Sequence, residues 1–272
     1  MRWIVSLGAV FLLAGCSQQR AQGHIRFLSS PDREVRQRAS QALVEMGNAA
    51  VAPVVASLDS ASDSLAYIGA QILGRIGSPR AILCLRELAQ RDNPYVRREA
   101  VAALGQTGHR PLVPVLAEFL TVDHDTAVRV AAAKGLATLR DTLAVPPLLA
   151  ALRDTAALVR QQSLVSLQHL WSTRVEAAAR RRLGDPDETV RFIAAQMLGT
   201  HRAHESRLAL SSALTDTSVF VRVEAARALG QLGDTAAVKS LVKLLKRGDG
   251  PDSEAARRAL LVLTDLDYVV LD

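Results

Sequence analysis

The sequence predicts an all-α fold, a right-handed superhelical solenoid of about eight stacked helical hairpins. Three observations lead to it. The first is a Val-Arg pair followed seven residues later by Leu, at Val35-Arg36…Leu43, Val96-Arg97…Leu104, Val128-Arg129…Leu136, Val159-Arg160…Leu167, Val190-Arg191…Leu198 and Val221-Arg222…Leu229. Degenerate copies at Leu65-Ala66…Leu73 and Asp252-Ser253…Leu260 complete a series with steps of 30, 31, 32, 31, 31, 31 and 31 residues. A fixed period of this length marks stacked repeats, because one such unit cannot bury a core alone. The second is a small residue three places after each arginine position: Ala39, Gly69, Ala100, Ala132, Ser163, Ala194, Ala225 and Ala256. The third is a composition of 49% hydrophobic but only 4% aromatic residues, which suits helices packed closely through small side chains.

Along the chain, Met1-Arg2 and the apolar run from Trp3 to Leu13 come first. Eleven residues rise roughly 16 Å as a helix, about half of a ~30 Å hydrocarbon core, so the run suits a signal-peptide h-region rather than a membrane span. Leu13-Ala14-Gly15-Cys16 follows directly and resembles the lipobox of bacterial lipoproteins. The resemblance implies a signal peptide over residues 1–15, cleavage before Cys16 and a diacylglyceryl thioether on Cys16. Two or three acyl chains on one cysteine anchor a protein stably, where a single chain holds it only marginally. Ser17 rather than Asp after the cysteine leans, under enterobacterial-type sorting, toward the outer membrane facing the periplasm. Residues 16–26 read as the lipidated cysteine and a polar tether reaching at most ~35 Å, and residues 27–272 as the repeat domain.

Each repeat begins with an amphipathic helix; Val221, Ala225, Ala228, Leu229 and Leu232 lie on one helical face. Gly47, Gly77, Gly108 and Gly233 stand where such helices close, at positions suited to positive φ. A second apolar run follows, as in Leu112-Val113-Pro114-Val115-Leu116, where proline fits the first turn of a new helix. The pattern resembles HEAT-like repeats of the phycobilisome-lyase type. That resemblance implies an α-α superhelix whose second helices line the concave surface. It fixes a fold rather than an activity.

Arg36, Arg97, Arg129, Arg160, Arg191 and Arg222 share one structural position, and Asp123, Asp154, Asp185 and Asp216 recur 31 residues apart. These read as a structural ladder in which guanidinium forks bridge carboxylates or loop carbonyls of neighbouring hairpins. The candidate binding patch lies on second helices: Arg180, Arg181 and Arg182, with Lys239, Lys243, Lys246 and Arg247 further on. Such cations, if they face a common groove, suit an acidic protein segment, anionic lipid or glycan. A net charge of +6 does not itself demand a nucleic acid, and a nucleic-acid partner is not expected outside the cell.

HEAT-like deoxyhypusine hydroxylases are implied to build a di-iron site from four His-Glu pairs, whereas this chain has only His204-Glu205. His201-x-x-His204 lacks the order of a zinc-protease helix. Trp171 reads as a plug for a loose turn and Cys84 as core. No cofactor and no catalytic constellation is expected. The sequence therefore points to a lipid-anchored envelope scaffold or adaptor for other envelope proteins. The alternatives are a HEAT-like enzyme of the hydroxylase or bilin-lyase type, or a binder of anionic lipid or glycan.

Overall fold

The computed structural model describes residues 17–59 and 61–264, so the expected signal peptide and Cys16 lie outside the described residues. Among the described residues every regular element is helical, and no helix is long and apolar enough to cross a membrane. The chain divides into two compact units between Ala144 and Val145.

Residues 17–27 (α1), most of them in the stretch read as a polar tether, are helical. Gln, Arg and Ala are good helix formers, and Ala21 and nearby Leu28 are buried, so packing starts ahead of residue 27. The first unit continues with α2 (Arg33–Glu45), α3 (Asn48–Ala56), α4 (Asp63–Ile76), α5 (Ile82–Leu88), α6 (Pro94–Gln106), α7 (Val113–Val122) and α8 (Thr126–Leu139). The second holds α9 (Val145–Ala151), α10 (Ala157–Leu167), α11 (Thr173–Arg182), α12 (Glu188–Thr200), α13 (Arg207–Ala213), α14 (Val219–Leu232), α15 (Val238–Leu245) and α16 (Pro251–Thr264). In each unit the even-numbered helices pack on one another in succession, while the shorter odd-numbered ones lean mainly on the long helix that follows them, the first of the next hairpin.

The sequence sets both ends of these long helices. Four residues before the arginine position, Asp32, Asn93, Asp125 and Asp187 accept hydrogen bonds from first-turn amides, as does Ser62 in the degenerate second repeat. Eleven residues after it the backbone turns left-handed, at Gly47, Gly77, Gly108 and Gly233 as expected. Arg140 and Arg202, each at φ 49°, carry the same turn without a glycine. In the fifth repeat Trp171 occupies that place with φ −60°, and α10 runs into a 3-10 turn over Gln168–Leu170.

The long helices meet through a second set of small residues. A Cβ built on Gly105 would lie 2.5 Å from the Cα of Gly135, and one on Gly74 would lie 2.8 Å from the Cβ of Ala103. The second unit repeats this with Gly199 against Ala228 and Gly230 against Ala259. Backbones can come this close only where side chains are absent or minimal. Beneath the contact, Leu43, Leu73, Leu104, Leu136, Leu164, Leu198 and Leu229 fill the interior.

Candidate functional site

The ladder arginines form the frame. Each of the six directs Nη1 at two carbonyls of the loop leading into its own helix; for Arg160 these are Asp154 at 2.9 Å and Thr155 at 3.1 Å. In Arg97, Arg160 and Arg191 the rest of the fork reaches the next hairpin. Arg97 pairs with Asp123, Arg160 with Asp185 and Arg191 with Asp216, through Nε and Nη2 together. These aspartates also accept the amide two residues on: Asp125 for Asp123, Asp187 for Asp185 and Ser218 for Asp216. One carboxylate thus shapes its own loop while receiving the preceding hairpin. Burial pulls the pKa of Asp216 up, but the bond from Arg191 and the Ser218 amide outweigh it and hold the acid below the usual carboxylate range.

Ser60 stands at the acid position ahead of the second repeat, and two other junctions pair differently. Arg222 pairs with Asp252 at 2.7 Å, because Arg247 stands where the periodic acid would fall. At the junction of repeats two and three the charges change places: Ala66 replaces the arginine and Arg91 replaces the acid. Arg91 then reaches backward, to the carbonyls of Ala61 at 2.8 Å and Leu58 at 3.3 Å, and to Asp63 at 3.4 Å.

The basic run on α11 divides three ways. Arg180 donates to the Glu205 carbonyl of the following hairpin at 3.0 Å. Arg182 donates to the Leu152 carbonyl at 2.9 Å and to Asp185 at 3.3 Å, and so joins the frame. Arg181 is exposed and lines a groove of about 410 Å³ between α9 and α11. Its walls carry Arg153, Arg174, Arg181 and Arg182, its floor is Leu149, Ala150, Leu152, Ala177 and Ala178, and no carboxylate lines it. Arg174 and Arg181 lie two turns apart on one face of α11, with the two alanines between them. No sequence signal marks Arg153 and Arg174, which line one groove only because α9 and α11 lie side by side.

Lys239, Lys243, Lys246 and Arg247 are exposed on and just after α15, beyond α13, and none of them lines the groove. The two basic stretches therefore do not share this groove.

Trp171 stacks on His201, with ring centroids 4.1 Å apart and planes within 5°. His201 Nε2 is buried without a hydrogen-bond partner, and burial pushes the imidazole pKa below its ordinary value. His204 and Glu205 sit in the 3-10 turn ahead of α13. Among the described residues no three His, Cys, Asp or Glu side chains gather as metal ligands would. Cys84 is buried and its thiol is pushed up to about 11, chiefly by desolvation, so it stays protonated and unreactive at neutral pH.

Stacked helical hairpins, tied by a recurring arginine and opening onto grooves between their second helices, define an α-solenoid repeat protein. Residues 21–94, 85–168 and 175–261 match HEAT repeats, and the chain belongs to that family. Among known proteins it is similar to the phycocyanobilin lyase subunit beta of Thermosynechococcus vestitus, 41% identical over 70 residues that make up 25% of this chain and 33% of the relative. It is also similar to the deoxyhypusine hydroxylase of Candida glabrata, 29% identical over 202 residues, 68% of this chain and 58% of the relative. The chain thus spans only about a third and somewhat over half of these two relatives. The crystal structure of Escherichia coli YibA superposes with a TM-score of 0.66 at 21% identity, covering 93% of this chain and 96% of YibA, and shares the fold.

Proposed function

We propose that this HEAT repeat protein is a membrane-anchored scaffold of the bacterial cell envelope that holds acidic segments of partner proteins in the groove between α9 and α11. The observation that carries the reading is the set of guanidinium groups of Arg153, Arg174 and Arg181 lining one groove with apolar side chains and no carboxylate, beside Arg182, which Asp185 already holds. Planar cations of this kind take carboxylates by paired hydrogen bonds, while Leu149, Leu152 and the α11 alanines accept an apolar edge. The partner segment is therefore an amphipathic one, acidic along its flanks. Anchoring rests on the motif Leu13-Ala14-Gly15-Cys16, and Ser17 favours the outer membrane facing the periplasm.

The test is fluorescence anisotropy with a labelled amphipathic acidic peptide against the full-length protein. Reversal of Arg153, Arg174 and Arg181 to Glu should weaken binding at least tenfold, about 1.4 kcal/mol or more, and added salt should weaken the wild type progressively. Reversal of Lys239, Lys243 and Lys246 should change little. Equal affinity in the groove variant would retire the reading. For the anchor, mass spectrometry of the Cys16 peptide should find the acyl groups, and Cys16→Ala should release the protein from membranes.

A second reading, an enzyme of the hydroxylase type, is favoured by the relatives' names alone. The described residues do not fit a metal centre, since His204 is the only histidine followed by Glu and lies in a turn. Stoichiometric iron in the purified protein would revive it.

A further inference from the structure

We propose that the groove across the first three long helices, α2, α4 and α6, is a second binding site, one for an acidic oligosaccharide. It encloses about 940 Å³, the scale of a ligand pocket, and lies wholly within the first unit. Two of the chain's three tyrosines line it, Tyr67 and Tyr95, in a protein that is only 4% aromatic. Tyr95 is 65% exposed, and the Arg98 guanidinium sits 5.8 Å from the centre of its ring. An aryl face left open and flanked by a cation offers a stacking platform.

The polar groups around these rings are amides, hydroxyls and arginines. Gln71 donates to the Tyr67 hydroxyl at 3.0 Å, and Asn93 donates to Asp63 at 2.9 Å. Asp63 is the single acid in the lining, and Asn93 and Arg91 already hold it. Arg36 is committed to its loop carbonyls, which leaves Arg33 and Arg98 as the cations facing the groove. The groove is therefore net positive. The small side chains of Ser62 and Ser64 line it where it crosses the start of α4.

A pyranose ring matches this arrangement. Its C–H face lies against an aryl ring, its hydroxyl rim exchanges hydrogen bonds with amide and hydroxyl groups, and a ring carboxylate pairs with a guanidinium. A neutral sugar would use the rings but leave the arginines unpaired. An acidic peptide would use the arginines without covering the rings.

Calorimetric titration of the full-length protein with tetragalacturonate, cellotetraose and tetraglutamate separates these cases. Tetragalacturonate should bind more tightly than either of the others. Tyr95→Ala and Arg98→Gln should each weaken it roughly fivefold, Tyr95→Phe should retain it, and Arg181→Glu in the other groove should leave it within twofold. Absence of tetragalacturonate binding, equal binding of tetraglutamate, or an unchanged affinity in Tyr95→Ala would overturn the proposal. The Arg181 variant keeps this result separate from that for the acidic protein segment.

Discussion

Arg160 makes four hydrogen bonds, two to carbonyls of its own loop and two to the carboxylate of Asp185, whose side chain is wholly buried. Truncating Arg160 to Ala would strand that carboxylate and two carbonyls, although Arg182 and the Asp187 amide would still serve Asp185. The expected loss is about 2–4 kcal/mol in urea unfolding, since breaking a buried pair from one side costs more than the pair is worth. Arg160→Lys should recover only part of it, because one ammonium cannot copy the fork. His201 gives the second residue-scale expectation. Burial holds its pKa below the ordinary 6.5, against a hydrogen bond to the Gln168 backbone and with help from His169. The unfolded chain therefore protonates first as pH falls. The contribution of the neutral ring is complete above about pH 6.5 and is lost as pH drops through the lower, folded value. The melting temperature of wild type should fall between pH 7 and pH 5 relative to His201→Phe, which keeps the stack on Trp171 without the titration. Parallel curves would show that the imidazole charge does not matter.

At the scale of the helix, Gly105 and Gly135 decide how closely α6 and α8 approach. In an isolated helix, replacing Gly105 by Ala would add stability, about 1 kcal/mol. Here the new methyl would meet the Gly135 backbone at 2.5 Å, which has no flexible end to move aside. Overpacking of this kind costs about 1–3 kcal/mol, so Gly105→Ala should destabilise the protein in thermal or urea unfolding despite its better propensity. This contact was not legible in the sequence, because it pairs two helices some thirty residues apart and depends on which faces touch. The helices themselves were legible. The apolar period, the capping residues and the glycine turns act locally, and each repeat states them again. Arg140 and Arg202 show the limit of that signal: the fold keeps the left-handed turn where the glycine is gone. The helix over residues 17–27 is hidden for a related reason, since the polarity of residues 17–26 conceals the buried position at Ala21.

Across the whole chain, the repeat period carried most of the architecture, and the charge period carried most of the frame. The binding surface was harder to read. The run Arg180-Arg181-Arg182 looks like one cluster in sequence, yet its members face three different ways, and the groove is completed by Arg174 two turns earlier on α11 and by Arg153 from the turn after α9. Sequence proximity overstated one patch and hid the other. The exchanged charges at Ala66 and Arg91 have a consequence for the lineage of the molecule. The joints at Arg97, Arg160 and Arg191 carry the same donor and acceptor in the same order, so repeats exchanged among them would still match. The joint between the second and third repeats is keyed in reverse, and a foreign repeat spliced into it would bring its ladder arginine against Arg91.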